Sequence, residues 1–252
     1  MRDVQTVIIT GYGINADAEL AEAFRRAGSG AERLHVRDLI ASPELLDSAH
    51  ILAFPGGFSF GDHLGSGLVF AHLCRKKLDG PIRRFIDRGK LVIGICNGFQ
   101  VLVKMGILPN IEGKGEPEGT IIYNDSGAFI DAWVTVEANP LSPCVWTDEL
   151  GIVDLPIRHG EGRFWVKDRD LLDKLESGGL GALRYRGENP NGSVNSIAGV
   201  TDPSGRILGL MPHPEAFLIK QNHPAWTGQE VPEECGMGIF LRGVRYVREN
   251  IL

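Results

Sequence analysis

Within Gly94-Ile95-Cys96-Asn97-Gly98 a cysteine stands between two glycines, in the Gly-x-nucleophile-x-Gly form of a nucleophile elbow. Such an elbow holds its nucleophile on a strained turn between a strand and a helix, and the glycines leave room where a side chain would clash. A helix beginning near Asn97 aims backbone N–H groups and the positive end of its dipole at the sulfur. Both favour the thiolate, the species that attacks acyl carbons. The chemistry this points to is acyl transfer from a cysteine. The plain alternative is a buried cysteine beside two loop glycines.

A cysteine hydrolase also needs a base. Of the seven histidines, His213 is the one placed where an elbow enzyme requires it, in Met211-Pro212-His213-Pro214-Glu215 after the apolar run Ile207-Leu208-Gly209-Leu210. Prolines on both sides stiffen this loop. Glu215 follows two residues later, so in an extended stretch both side chains leave one face and the carboxylate can orient the imidazole. The triad expected is Cys96, His213 and Glu215. Phe54-Pro55-Gly56-Gly57-Phe58-Ser59-Phe60-Gly61-Asp62 is a glycine-rich loop whose backbone, at Gly57, supplies half an oxyanion hole, the Asn97 amide supplying the other half. Asp62-His63 stands where a phosphate loop needs Lys followed by Ser or Thr, which rules out that reading. Gly11-Tyr12-Gly13-Ile14-Asn15-Ala16, with Asp38 downstream, approximates a dinucleotide fingerprint, but any doubly wound sheet needs a tight turn there. His159-Gly160-Glu161-Gly162-Arg163 reads either as a surface turn or as a site for a small zwitterion, its charges matching amino and carboxylate groups.

The elements that must position these residues follow from hydrophobic patterning. Short runs rich in Val, Ile and Leu alternate with helical stretches through the first half, the pattern of a parallel sheet covered on both faces. Strands are expected at residues 6–10, 34–36, 50–54 and 91–95, and helices at 17–27, 67–77 and 81–88, with Gly28 ending the first helix. Ser42-Pro43 reads as the capped start of a short helix. Beyond Asn110 the segments 129–136 and 197–210 alternate, the latter broken by the hairpin-type turn Asp202-Pro203-Ser204-Gly205. The expected class is α/β: a flavodoxin-like, doubly wound, mainly parallel sheet with antiparallel strands added in the second half. Residues 111–119 are the best candidate linker, yet no second core is evident, so residues 1–252 are read as one domain.

A net charge of -6 with no dense Lys/Arg run gives no footprint for nucleic acid or an anionic membrane. The N-terminus lacks the features of a secretory signal, and no apolar run reaches membrane-spanning length; the expected setting is cytoplasmic. Cys74, Cys96, Cys144 and Cys235 are scattered without a Cys-x-x-Cys pair, against a zinc site or a disulfide framework. No metal site is expected, and Cys74, Cys144 and Cys235 are read as small buried hydrophobes.

Taken together, Pro55-Gly56-Gly57, Gly94-Ile95-Cys96-Asn97-Gly98-Phe99-Gln100 and Pro212-His213-Pro214-Glu215 resemble the triad, or class I, glutamine amidotransferases. Within that family the loops at Gly57, Cys96, His159 and Glu188-Asn189-Pro190-Asn191-Gly192-Ser193 are similar to those of the glutaminase component of phosphoribosylformylglycinamidine synthase. The likeness runs from about Val7 to Phe217 and more loosely through Gln221-Asn222-His223-Pro224-Ala225-Trp226. It departs at Gly65 and Ala128, where many separate subunits of that type carry arginine; the Gly65 form is closer to the fused enzyme.

The resemblance implies that Cys96 attacks the side-chain amide of glutamine, that His213 protonates departing ammonia, and that water releases glutamate from a thioester. Gly56, Phe58, Gln100, His159, Gly160, Glu161, Gly162 and Arg163 would bind the substrate. It also implies no cofactor in this chain, since ATP and magnesium belong to a synthetase partner that consumes the ammonia in purine synthesis, possibly beside a small accessory subunit. Two other readings stay open at this stage: another elbow cysteine hydrolase of the peptidase or deglycase kind, and a noncatalytic nucleotide-binding flavodoxin-like module.

Overall fold

The computed structural model describes residues 3–228, 230–232, 234 and 236–252, so Cys235 lies outside the described residues. In chain order its elements are β1 (Gln5–Thr10), α1 (Asp17–Arg26), β2 (Gly30–His35), α2 (Val36–Ala41), β3 (Ile51–Phe54), α3 (Leu68–Lys77), α4 (Asp79–Asp87), β4 (Leu91–Ile95) and α5 (Asn97–Lys104). The second half follows with β5 (Gly119–Ile122), β6 (Ile130–Ala138), β7 (Ile152–His159), β8 (Arg163–Val166), α6 (Arg169–Ser177), β9 (Gly181–Tyr185), β10 (Ile197–Thr201), β11 (Ile207–Leu210) and α7 (Met237–Asn250).

Nine strands form one sheet in the order β2-β1-β3-β4-β11-β10-β9-β6-β7. The first five are mutually parallel and the other four extend the sheet in antiparallel fashion. Strands β3 and β4 are buried at every residue, as the continuous apolar runs require of strands covered on both faces. Helix α1 packs on α7 through Phe24 and Phe240, 5.2 Å apart edge to face, while α3 lies against α4 and α5. The buried apolar residues of both halves form one continuous cluster. Because β1, β3, β4 and β11 run the same way, the loops after them meet along one rim, where ligands of open α/β sheets bind.

Local chemistry decides several boundaries differently from the periodicity. The second strand covers Gly30–His35, and Val36 instead opens a six-residue helix that buries Val36 and Leu39. That helix is capped by His35, whose ring nitrogen accepts from the Arg37 N–H at 3.2 Å. Pro43–Leu46 is a 3-10 turn, and the Ser42 side chain makes no capping bond. Residues 111–119 are no linker. The N–H groups of Ile111 and Glu112 donate to the buried Glu118 carboxylate at 2.6 and 2.8 Å, and Arg83 donates to the Gly115 carbonyl at 3.1 Å. The Gly11-Tyr12-Gly13 turn braces a neighbouring loop: the Gly13 carbonyl accepts from Phe58 N–H at 2.9 Å and that of Tyr12 from Phe60 N–H at 2.6 Å.

Strand β7 alternates over its last residues, Arg158 being exposed and His159 buried.

Candidate active site

Cys96 is the turn residue between β4 and α5, with φ 51° and ψ -106°. This conformation costs a non-glycine residue roughly 1–3 kcal/mol and persists only where the surroundings enforce it. They do so from both sides: the Cys96 N–H donates to the Leu210 carbonyl at 2.8 Å, and its own carbonyl accepts from Gln100 N–H at 3.0 Å, the first bond of α5. The sulfur lies 3.7 Å from the Arg158 carbonyl oxygen, and the residue is 5% exposed. Asn97, the first residue of α5, has a backbone N–H with no acceptor within the helix. Its side chain donates to Asp62 Oδ1 at 3.2 Å and Gln100 Oε1 at 3.0 Å.

His213 and Glu215 meet at 2.6 Å, Nδ1 to Oε1, and both are buried. Their pairing does not arise from an extended stretch. Pro214 fixes φ and starts a 3-10 turn over Pro214–Ala216, which folds the carboxylate back onto the ring. The His213 N–H donates to the Pro156 carbonyl at 2.8 Å, tying the loop to β7. Burial pulls the imidazolium towards neutrality, but the Glu215 carboxylate and then the Cys96 sulfur outweigh it and push the His213 pKa up to about 10. Gly56 lets the ring in: a Cβ there would stand 2.8 Å from His213 Cε1.

The expected oxyanion amide at Gly57 sits on backbone with φ +151°, where a Cβ would meet the Gly13 carbonyl oxygen and Ile14 Cα at 2.7 Å. Two adjoining pockets, about 280 and 230 Å³, open onto Cys96 and share Gly57, Phe58, Cys96, Phe129 and Arg158. His213 lines the first. Gln100, His159, Gly160 and Glu161 line the second with Asp62 and Ser66. Phe58 and Phe129, ring centroids 6.2 Å apart, form an apolar wall to both.

Not every expected contact residue reaches these pockets. Gln100 is buried and engaged, its Nε2 donating to the Glu161 carbonyl at 2.6 Å. Glu161 accepts from Ser66 N–H at 3.1 Å. Gly162 sits behind the wall, where a Cβ would strike the His159 ring at 2.3 Å. Arg163 turns away, donating from Nε to the Gly192 carbonyl at 3.1 Å and lying over Trp165, 5.0 Å from its centroid.

Sequence reasoning missed Asn124, which holds the wall together. Its Nδ2 donates to the Ala128 and His159 carbonyls, and its Oδ1 accepts from Gly162 N–H at 3.0 Å and meets His159 Nδ1 at 3.0 Å. With both amide hydrogens spent on carbonyls, the oxygen must face the ring, so His159 carries its proton on Nδ1. Burial, then the charge of His213, push the His159 pKa down to about 4, keeping it neutral. Asn191 and Ser193, members of the loop similar to the glutaminase family, donate to the Gly162 carbonyl at 2.9 and 3.3 Å. No spacing signal marks Asn124; its role exists only where β6, β7 and the turn after β7 converge.

Among the described residues no helix is long and apolar enough to cross a membrane, and no group of three or more His, Cys, Asp or Glu side chains is placed to hold a metal ion. The family model of the CobB/CobQ-like glutamine amidotransferase domain matches residues 3–247. The chain is 42% identical to the phosphoribosylformylglycinamidine synthase subunit PurQ of Dehalococcoides mccartyi, over 99% of this chain and 100% of that one. It is 37% identical to the subunit of the same name from Methanococcus maripaludis, over 96% and 97%. A solved structure titled PurLQS from Thermotoga maritima contains a chain that superposes with TM-score 0.77 at 31% identity, covering 98% of this chain and 100% of that one. With a strained cysteine elbow, a buried His–Glu pair beside it and these full-length similarities, the chain belongs to the CobB/CobQ-like glutamine amidotransferases, in their PurQ-like class I branch.

Proposed function

We propose that this chain is the glutaminase subunit of a phosphoribosylformylglycinamidine synthase, hydrolysing glutamine at Cys96 and delivering the ammonia to a synthetase. The observation that carries the site assignment is the buried His213–Glu215 pair at 2.6 Å, held beside a cysteine in a strained elbow conformation. In this reading the Cys96 thiolate attacks the side-chain carbonyl carbon, and the oxygen, now negative, is held by the Gly57 and Asn97 N–H groups. His213, still an imidazolium at neutral pH, gives its proton to the departing nitrogen, so ammonia leaves and a thioester remains. Thioester formation removes the sulfur's charge, one of the two that raise the His213 pKa. The neutral ring can then take a proton from water as it attacks, releasing glutamate and restoring the thiolate.

The relative from Thermotoga maritima is part of a structure titled PurLQS. By that relationship the partners of this chain are a PurL-type synthetase, which would use ATP and magnesium to convert formylglycinamide ribonucleotide to its amidine in purine biosynthesis, and a small PurS-type subunit. In this reading the glutaminase step uses only side chains and backbone amides of this chain and water. One continuous core supports reading residues 1–252 as one domain, and three free thiols suit a reducing, cytoplasmic setting.

A glutamine-mimicking electrophile, applied to the assembled enzyme and followed by peptide mass spectrometry, is expected to label Cys96 and leave Cys74 and Cys144 untouched. Burial pushes the Cys74 thiol up to about 12 and raises that of Cys144 as well, so neither offers a thiolate near neutrality. Labelling of Cys74 or Cys144 in place of Cys96 would remove the assignment.

The His213 pKa has a pH consequence with a definite sign. Because it is raised from 6.5 to about 10, the pair contributes stability in full below pH 6.5 and loses it as pH rises through about 10. Glutaminase activity should share that alkaline limb. Glu215→Gln removes the largest raising influence, so the limb is expected to move to lower pH and kcat to fall roughly a hundredfold. A pH–rate profile of both proteins reads this directly; an unmoved limb would show that Glu215 does not control the imidazole.

A further inference from the structure

The two amides of the oxyanion hole come from different elements, Gly57 from the loop after β3 and Asn97 from the start of α5, so their separation is set by what joins that loop to that helix. Near Gly57 the loop is tied to the turn at residues 11–13 through the Phe58 and Phe60 N–H groups. Beyond it, Phe60, Gly61 and Asp62 follow one another with φ of 55°, 73° and 55°. Left-handed backbone costs a non-glycine residue roughly 1–2 kcal/mol, so this stretch keeps its shape only while its far end is held.

Asp62 holds that end. Its Oδ2 accepts from Ser66 Oγ at 2.9 Å, and its Oδ1 accepts from Asn97 Nδ2 at 3.2 Å and from Gly67 N–H at 3.4 Å. The bond from Asn97 closes a ring: Asn97 Nδ2 also donates to Gln100 Oε1, Gln100 Nε2 donates to the Glu161 carbonyl, and Ser66 N–H donates to Glu161 Oε1. The loop, α5 and the turn after β7 thus brace one another beside Cys96. Asn97 is fully buried, and with its amide hydrogens on Asp62 and Gln100 its Oδ1 has no hydrogen-bond partner among the described residues. An ionised carboxylate can only accept, so turning the amide over would set that oxygen against the oxygens of Asp62 and Gln100. Leaving a buried carbonyl unpaired costs roughly 1–3 kcal/mol, and the two acceptors impose that cost.

We infer that Asp62 is a positioning residue for the oxyanion hole: through the Asn97 side chain it fixes the Asn97 backbone N–H against the Gly57 N–H. This rests on the glutaminase reading above. Asp62 touches no reacting atom in this role. The amides it holds in place act on the oxygen once negative charge has formed there, so its loss appears in kcat more than in KM.

The test compares two reactions of Cys96 in the assembly with its synthetase partner. Glutamine hydrolysis, read as glutamate release, passes through an oxyanion. Alkylation by iodoacetamide, read by mass spectrometry of the Cys96 peptide, does not, because the sulfur displaces iodide from a saturated carbon. Asp62→Asn keeps the side chain's shape and sets an N–H2 group among donors. It is expected to lower kcat for glutamine by roughly a hundredfold with KM within about threefold of wild type, while Cys96 alkylates at least as fast as before. Asn97→Ala keeps the backbone N–H and loses the link, so it should show the same pattern, and the double variant should be no worse than either single one. A raised KM with unchanged kcat, as a substrate contact would give, overturns the inference. So does an equal loss in both reactions, as a collapsed site would give, and so do losses that multiply in the double variant. A wild-type assembly inert towards glutamine would instead overturn the glutaminase reading, and this inference with it.

Discussion

Cys96→Ala is expected to lower glutamine-dependent glutamate release by about 10⁴- to 10⁶-fold, the range seen when an acyl-transfer enzyme loses its nucleophile. No neighbour can stand in. Cys74 is fully buried in α3, and the sulfur's surroundings are the Arg158 carbonyl, the glycine-rich loop and His213, none of them an alternative nucleophile for an amide. The substitution removes one sulfur atom and leaves the Cβ, the strained φ and the Cys96 N–H bond to Leu210 as they are, so the fold should survive. Two measurements separate chemistry from collapse. Thermal unfolding should stay within a few degrees of wild type. The assembled enzyme fed ammonia in place of glutamine should turn over normally, because the synthetase reaction needs the product and not its maker. Glutamate release by the variant at a tenth of the wild-type rate or more would end the case for Cys96.

Gly98→Ala should be the more damaging of the single-methyl changes at the two elbow glycines, Gly94 and Gly98. A Cβ at residue 98 would stand 1.9 Å from the Phe54 carbonyl oxygen and 2.5 Å from its carbon. That obstacle is the backbone of a fully buried strand, which cannot swing aside as a side chain would. Helix α5 must move off β3, carrying the Asn97 amide away from the Gly57 amide, which stays with the loop that follows β3. The expected cost is about 3 kcal/mol, a fall in Tm of about 6–12 °C for a chain of this size. Glutaminase activity should fall with it, since the elbow is displaced relative to the oxyanion loop. Gly127→Ala is the control: it also has positive φ, +67°, but its Cβ meets nothing within 4 Å. It should cost only the conformational preference, about 1 kcal/mol. Equal Tm shifts for the two variants would mean that the contact with Phe54 is not what requires glycine.

Much of the site is readable without coordinates because its chemistry is written locally. A strand buried on both faces, a turn that only small flanking residues permit and a helix start together mark Cys96, and all lie within about ten residues. His213 and Glu215 are marked by the same kind of short-range signal, two residues apart with prolines flanking the histidine, although their geometry is a 3-10 turn and not the extended pairing that alternation suggests. Short elements are harder to see. Helix α2 is six residues long, and its cap is a histidine, outside the usual capping set.

The pocket walls are another matter. Gln100 meets Glu161, Cys96 meets Arg158 and Asn124 meets His159 across 61, 62 and 35 positions of chain, respectively. Such contacts depend on where β6 and β7 are laid against the parallel half of the sheet. The segment after β7 shows the consequence. Its residue types announce a zwitterion site, and the arginine within the motif, Arg163, is the obvious cation. The structure instead commits Arg163 to Gly192 and Trp165, and leaves His159, Gly160 and Glu161 to line the pocket at Cys96.

The sequence by itself determined the nucleophile, its base and the α/β class, because elbow, proline-flanked histidine with its nearby glutamate, and apolar runs are each set by interactions between near neighbours. Only the tertiary structure decided which charges face the substrate, because that depends on strand register between distant segments, where a shift of one residue would exchange every inward side chain for an outward one.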